Sequence, residues 1–309
     1  MKQQSVHAAT PNRVVDVEVA GGALRVAVWG EPKGASTVVL AVHGLTMSHR
    51  TWSAVAERLS NIVLIAPDLR GRGASSELPG PYGFAQHVED LEAVIRHFGL
   101  QRIVAVGHAM GGYVVEQLAA RRPALVAELV LVDGGLTPSA PEGVELDAFI
   151  KKFLGPSLER MAVTYHSRQD YRDFWRDHPA FAGPPAYWNA AIESFVDYDV
   201  IESNGKWRSR TAEAAVRQDF TEGRFDSNTR TVAFGLTKVP ITLLQAERGL
   251  LNQRPGLIPD ELLEEYREYL PQLEDTFLPG TNHYTITLAE PGLNAVVESI
   301  SRAERRSTI

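Results

Sequence analysis

Cysteine is absent from this chain. Disulfides, thiolate metal sites and a cysteine nucleophile are therefore excluded, and a reducing cytoplasm is the compartment this composition suits. Nor is there an uncharged apolar run of about 18 residues, so no membrane span is expected. The opening stretch MKQQSVHAATPNRVVDVEV lacks the apolar centre of a secretory signal. Positive charge is not in excess either. A net charge of -7 and a pI near 5.8 argue against nucleic acid or an anionic membrane surface as the main partner. No H-E-x-x-H pair, P-loop or strand-linked G-x-G-x-x-G occurs, so neither a metal nor a nucleotide cofactor is expected.

What is present is the balance of a globular protein. The 309 residues are 44% hydrophobic and 22% charged, enough for one large α/β domain with an insertion or for two ordinary domains. Residues 1–12 read as a disordered lead. Arg13–Ala20 and Ala23–Trp29 alternate apolar and polar side chains around Gly21-Gly22, which predicts an antiparallel hairpin. Five short apolar runs follow: Thr37–Val42, Asn61–Ala66, Arg102–Val106, Glu128–Val132 and Pro240–Gln245. Strands buried on both faces of a parallel sheet have this composition.

Helical stretches at Thr51–Leu59, Gly83–Phe98 and Gly111–Arg121 separate most of these runs, the last two with apolar residues three and four apart. Alternating β and α units predict the α/β class: a mostly parallel, doubly wound sheet with its ligand site at the carboxyl ends of the strands. The alternation stops after Asp133. From about 137 to 226 the chain is helical, loop-rich and aromatic, and the sheet resumes near Val239. The expected organisation is a core of residues 13–136 and 227–309 carrying a helical cap over the strand ends at 137–226.

Gly107-His108-Ala109-Met110-Gly111-Gly112 follows the strand IVAV and opens a helix. A G-x-S-x-G nucleophile elbow sits in this context, and its glycines permit the sharp turn that exposes the central side chain. Everything matches except the hydroxyl. His43-Gly44-Leu45, the loop Pro67-Asp68-Leu69-Arg70-Gly71-Arg72-Gly73-Ala74-Ser75 and Asn282-His283-Tyr284 follow in the order and contexts of the α/β-hydrolase superfamily, which this chain resembles over nearly its whole length.

The resemblance implies residue roles. A serine at 109 would attack an acyl carbon, the backbone N–H groups of Leu45 and Met110 would form an oxyanion hole, and His283 would be general base and acid. The acid is open between two residues. The family's usual place after the strand PITLLQ holds Gly249, with Glu247 nearby, whereas Asp133 ends the strand ELVLV and is followed by Gly134-Gly135. Asp133 is favoured. Of the nine histidines, His283 alone sits in a loop after the last strand (Glu274–Phe277). His43 and His108 read as structural members of their motifs, and His87 and His178 have no motif context. Asp68 and Arg70 read as braces of the active-site loops, and Asp90 as a solvated or capping group. Trp52, His49, His108, Trp175 and Tyr284 are expected near the substrate. Arg70, Arg168 or Arg172 would pair with a carboxylate if the substrate carries one.

The implied reaction is hydrolysis of a carboxylic ester or lactone of a small alkyl or aromatic molecule, without a cofactor. Alanine at 109 disables it. The retained glycines, oxyanion loop, histidine and acid favour an inactivated variant of a serine enzyme. A carbon–carbon bond hydrolase of the meta-cleavage type and a ligand receptor on the same fold are the alternatives.

Overall fold

Strand runs that are apolar at every position have both faces to bury, and the computed structural model shows how they do it; it describes residues 6–35, 37–139, 143–183 and 187–308. The strands are β1 (Arg13–Val19), β2 (Gly22–Trp29), β3 (Val38–Val42), β4 (Leu64–Pro67), β5 (Ile103–His108), β6 (Val126–Val132), β7 (Val200–Ser203), β8 (Lys206–Ser209), β9 (Ile241–Arg248) and β10 (Leu273–Asn282). Eight of them form one sheet in the order β1-β2-β4-β3-β5-β6-β9-β10. β1 and β2 form the predicted antiparallel hairpin, β2 meets β4 antiparallel, and all later pairings are parallel.

The helices are α1 (Ser53–Arg58), α2 (Phe84–Phe98), α3 (Met110–Arg121), α4 (Leu146–Ala162), α5 (Arg168–Asp177), α6 (Pro179–Ala182), α7 (Ala190–Asp199), α8 (Glu213–Phe225), α9 (Ser227–Phe234), α10 (Asp260–Tyr269), α11 (Thr285–Leu288) and α12 (Gly292–Thr308). The two-residue period of a strand sends alternate side chains to opposite layers. Leu40, Ile65, Ala105, Leu129 and Leu243 pack with α2, α3 and α10. Val39, Leu64, Val104, Val130 and Leu244 pack with α1 and α12 on the other face. The fold class is the one expected.

Two expectations fail. The lead is not loose over residues 6–12: Val6 is buried, Ala9 N donates to Ser53 O at 3.0 Å, and Asn12 Oδ1 accepts from Gly30 N at 2.6 Å; residues 1–5 lie outside the described residues. The segment between β6 and β9 is not purely helical, because β7 and β8 form an antiparallel hairpin in it. Its signal was legible: Asn204-Gly205, at φ of 53° and 73°, supplies the positive dihedrals that a tight hairpin turn needs.

Trp52, expected near the substrate, is fully buried between α1, α12 and the sheet. Its indole Nε1 has no hydrogen-bond partner among the described residues, so its value here is volume. Trp52→Ala is therefore expected to cost about 3–5 kcal/mol. Trp52→Phe, which also deletes an unpaired buried N–H, should cost about 1.5 kcal/mol or less. Urea unfolding of the two variants separates these outcomes.

Candidate active site

β4 and β5 flank β3 on opposite sides, so the chain reverses its winding there, the point where open α/β sheets bind their ligands beyond the carboxyl ends of the strands. Gly44-Leu45 leave β3 at this point, and Ala109 leaves β5. Sheet register brings a third strand end level with them, since Val42 pairs with Gly107 and His108 with Val132. Asp133 thus emerges beside position 109. Ala109 N donates to Val132 O at 3.0 Å, and Asp133 N donates to Leu244 O at 2.7 Å.

The turn at 109 is as tight as the glycines implied. A Cβ on Gly111 would lie 2.2 Å from Val42 O, and one on Gly134 would lie 2.2 Å from Ala109 O. Main chain meets main chain at both places, so no larger residue fits. Ala109 has φ 51° and ψ −119°, and Asp133 has φ 49°. Two adjacent non-glycine residues in the left-handed region mark strain held by surrounding structure, the usual mark of a functional site. The methyl of Ala109 is half-buried while its neighbours His108 and Met110 are buried. Ala109 holds the N-cap position of α3 without a side-chain hydrogen bond, at the end where free amides and the helix dipole favour negative charge.

β10 delivers the histidine. Its pairing with β9 shifts register between Leu278 and Asn282. Asn282 then holds the next turn by accepting from Tyr284 N at 3.0 Å and Thr285 N at 2.9 Å. His283 Nδ1 lies 2.6 Å from Asp133 Oδ2, with both side chains buried, and Asp133 Oδ1 accepts from Ala246 N at 3.0 Å. A carboxylate at Nδ1 fixes the neutral ring with its proton there and leaves the Nε2 lone pair free to take a proton. Beneath it, His108 Nε2 donates to His283 O at 2.9 Å. Burial first, and His283 second, hold His108 far below its ordinary range, so it stays neutral. His108 is a buried strut for the His283 loop.

Glu247 makes no such contact. Its carboxylate pairs with Arg254 and accepts from Arg248 and Gly280 N, while Gly249 N donates to Gln253 O. Of the two acids weighed, only Asp133 meets the imidazole.

The loop after β4 secures the opposite wall. Asp68 Oδ1 accepts from His49 N at 2.8 Å and His49 Nδ1 at 2.9 Å; Oδ2 accepts from Ala74 N at 2.9 Å and the Tyr198 hydroxyl at 2.7 Å. His49 is thus a brace and not a pocket residue. His43 Nδ1 donates to Gly44 O at 2.8 Å and its Nε2 accepts from Leu69 N at 2.9 Å, a pattern that requires the neutral ring.

Sequence reasoning passed over Arg72, whose Nε donates to Leu45 O at 2.9 Å and whose Nη1 meets Asp219 of α8 at 2.6 Å. Asp219 also takes His87 Nε2 at 2.9 Å and Gly83 N at 2.7 Å. Burial alone would push the Asp219 carboxyl up, but Arg72 and His87 together hold it below the usual carboxylate range. His87 is therefore a buried partner in this set. Nothing local in the sequence announces a bond between positions 72 and 219.

Other expectations are corrected. Asp90 is buried and holds Arg70 through two bonds of 2.8 and 2.9 Å, so neither is solvated or available to a ligand. Arg172 pairs with Asp197, and Arg168 lies over the Trp207 ring. Trp175 and Tyr284 belong to one apolar cluster with Met47, Tyr171 and Phe181, their two rings 5.6 Å apart. Leu45 packs against Ile150, Leu154 and Val216 from α4 and α8. A groove of about 670 Å³ lined by Arg50, Trp188, Asp197 and Tyr198 shares no lining residue with Ala109 or His283. The buried pair of Asp133 and His283 lies outside that groove.

Burial lowers the His43 pKa from 6.5 to about 4 despite the Asp68 charge nearby. Between those values the unfolded chain binds more protons than the native one, so stability is full above pH 6.5 and is lost as pH falls through the window. His43→Gln should flatten that loss by about 3 kcal/mol when urea unfolding at pH 7 and pH 4 is compared.

With this geometry in hand, known proteins give a consistent picture. Lipase LipV of Mycobacterium tuberculosis is 42% identical over 95 residues, 31% of this chain and 36% of that protein. The chain thus spans about a third of the length of that curated relative. Among solved structures, E-2-(acetamidomethylene)succinate hydrolase superposes with a TM-score of 0.73 at 20% identity, covering 94% of this chain and 98% of that one. The thioesterase domain from the curacin biosynthetic pathway gives 0.70 at 22% identity, with the same coverages. A family profile described as alpha/beta hydrolase fold matches residues 37–287, most of the chain, and the protein belongs to that family.

Proposed function

We propose that this is the framework of a serine ester hydrolase for a small carboxylic ester or lactone, with alanine standing where the nucleophile acts. The observation that carries the reading is the 2.6 Å bond between His283 Nδ1 and Asp133 Oδ2 beside the half-buried methyl of Ala109. A hydroxyl at 109 would give its proton to His283 Nε2 while attacking the acyl carbon. Asp133 would keep the ring oriented and stabilise its cation. The N–H groups of Leu45 and Met110 would receive the oxyanion, and His283 would return the proton to the leaving alkoxide. Water would then release the acid by the same route. The segment between β6 and β9 acts as a cap, and its aromatic cluster suits an alkyl or aromatic substrate.

As it stands the chain can bind and polarise such a substrate but cannot form an acyl-enzyme. Ala109→Ser is expected to raise turnover of a 4-nitrophenyl ester by about a million-fold. In that background His283→Gln should remove nearly all of the gain, and Asp133→Asn should lower kcat about ten-thousand-fold. Glu247→Gln should leave kcat within about twofold, because that carboxylate serves its own arginines. Steady-state assays of the four proteins check this. A serine variant that is inert toward esters, lactones and thioesters while the ligand still binds would make the protein a receptor.

A further inference from the structure

Arg160 of α4 is only 4% exposed. Its Nη1 donates to the Tyr171 hydroxyl at 2.7 Å and to Asp199 Oδ2 at 2.9 Å. Its Nη2, equally enclosed, has no hydrogen-bond partner among the described residues. Leaving guanidinium donors buried and unpaired is costly, and a residue needed only as a brace would be expected to have all of them satisfied.

Asp199 is the ion-pair partner of Arg160, and it meets the guanidinium only through Nη1. Its oxygens also accept from Ser209 Oγ at 3.0 Å, from Thr211 Oγ1 at 3.2 Å and from Tyr171. Four donors occupy this carboxylate, three of them hydroxyls, and Arg160 Nη2 has no share in it.

The surroundings connect this group to the candidate active site. The guanidinium lies 5.0 Å over the Trp175 ring, which packs 5.6 Å from Tyr284. Tyr284 follows His283 in the chain, with ring centres 5.8 Å apart. His178 lies 5.8 Å from the Tyr284 ring, and burial together with the Arg160 charge lowers it to about 4, so it adds no second cation. The three arginines first considered for a substrate carboxylate are engaged elsewhere: Arg70 with Asp90, Arg172 with Asp197, Arg168 over Trp207.

We propose that Arg160 Nη2 anchors a carboxylate carried by the substrate, making the substrate class half-esters of dicarboxylic acids. The free acid sits at Arg160 while the ester lies over position 109, with Trp175 and Tyr284 along the span between. This deepens the ester-hydrolase reading and rests on it.

The unmutated chain cannot turn over, so binding is measured directly by calorimetry. The probes are monomethyl and dimethyl esters of malonate, succinate, glutarate and terephthalate. At least one monomethyl ester should bind about tenfold or more tighter than its dimethyl counterpart, the discrimination one charge-assisted hydrogen bond supplies. Arg160→Gln should abolish that preference, and Arg160→Lys should weaken it several-fold while keeping the Asp199 ion pair. Equal binding of all pairs, or no binding of any, overturns the inference without reference to a variant's folding. So does a preference that survives in Arg160→Gln. Turnover by Ala109→Ser is a separate arm. An inert serine variant whose monoester preference still depends on Arg160 sinks the hydrolase reading and leaves the carboxylate site standing. Efficient hydrolysis with no preference for either ester does the reverse.

Discussion

The bond from His283 to Asp133 is the interaction that the rest of the structure serves, because separate parts of the sheet must place each partner before it can form. Asp133 is at its position only because β6 pairs in register with β5 and β9, which sets Val132 level with His108 and Leu244. A slip of one residue would send the carboxylate to the opposite face of the sheet. Its second oxygen is tied to Ala246 N, so the carboxylate is oriented before the imidazole arrives. His283 in turn depends on a register shift in β10 and on Asn282. A short contact between two buried groups thus reports the alignment of four strands.

Much of this was written locally in the chain. A fully buried strand needs apolar residues at each position, so LVLV in β6 reads as what it is, and an aspartate followed by Gly134-Gly135 reads as the end of that strand. The glycines at 111 and 134 are demanded by main-chain contacts that the elbow motif already implies. Here the family resemblance and elementary sterics agree, and the hydrolase fold was legible from the sequence.

What was not legible shares one property: the partner lies far away in sequence and nothing in the local pattern points to it. Asp90 reads as a helix surface residue until Arg70 arrives from the preceding loop. Asp219, Tyr198 and Arg160 sit in the inserted segment, where amphipathic helices give no hint of which charge turns inward. Their significance comes from tertiary pairing, with Arg72, with Asp68 and with Asp199. Trp52 errs in the opposite direction, since closeness in sequence to the loop after β3 suggested exposure to a pocket and side-chain volume placed it in the core.

The same long-range pairs join the inserted segment to the sheet. Asp219 is fastened to Arg72, which also grips the carbonyl of Leu45; Tyr198 is fastened to Asp68; and Asn282, beside His283, donates to Ala180 O. Anyone grafting this segment onto a sister scaffold would strand a buried aspartate unless the matching arginine travelled with it. Segment and sheet are thus coupled through buried charge, and a change on one side of the Arg72–Asp219 pair leaves the other side uncompensated.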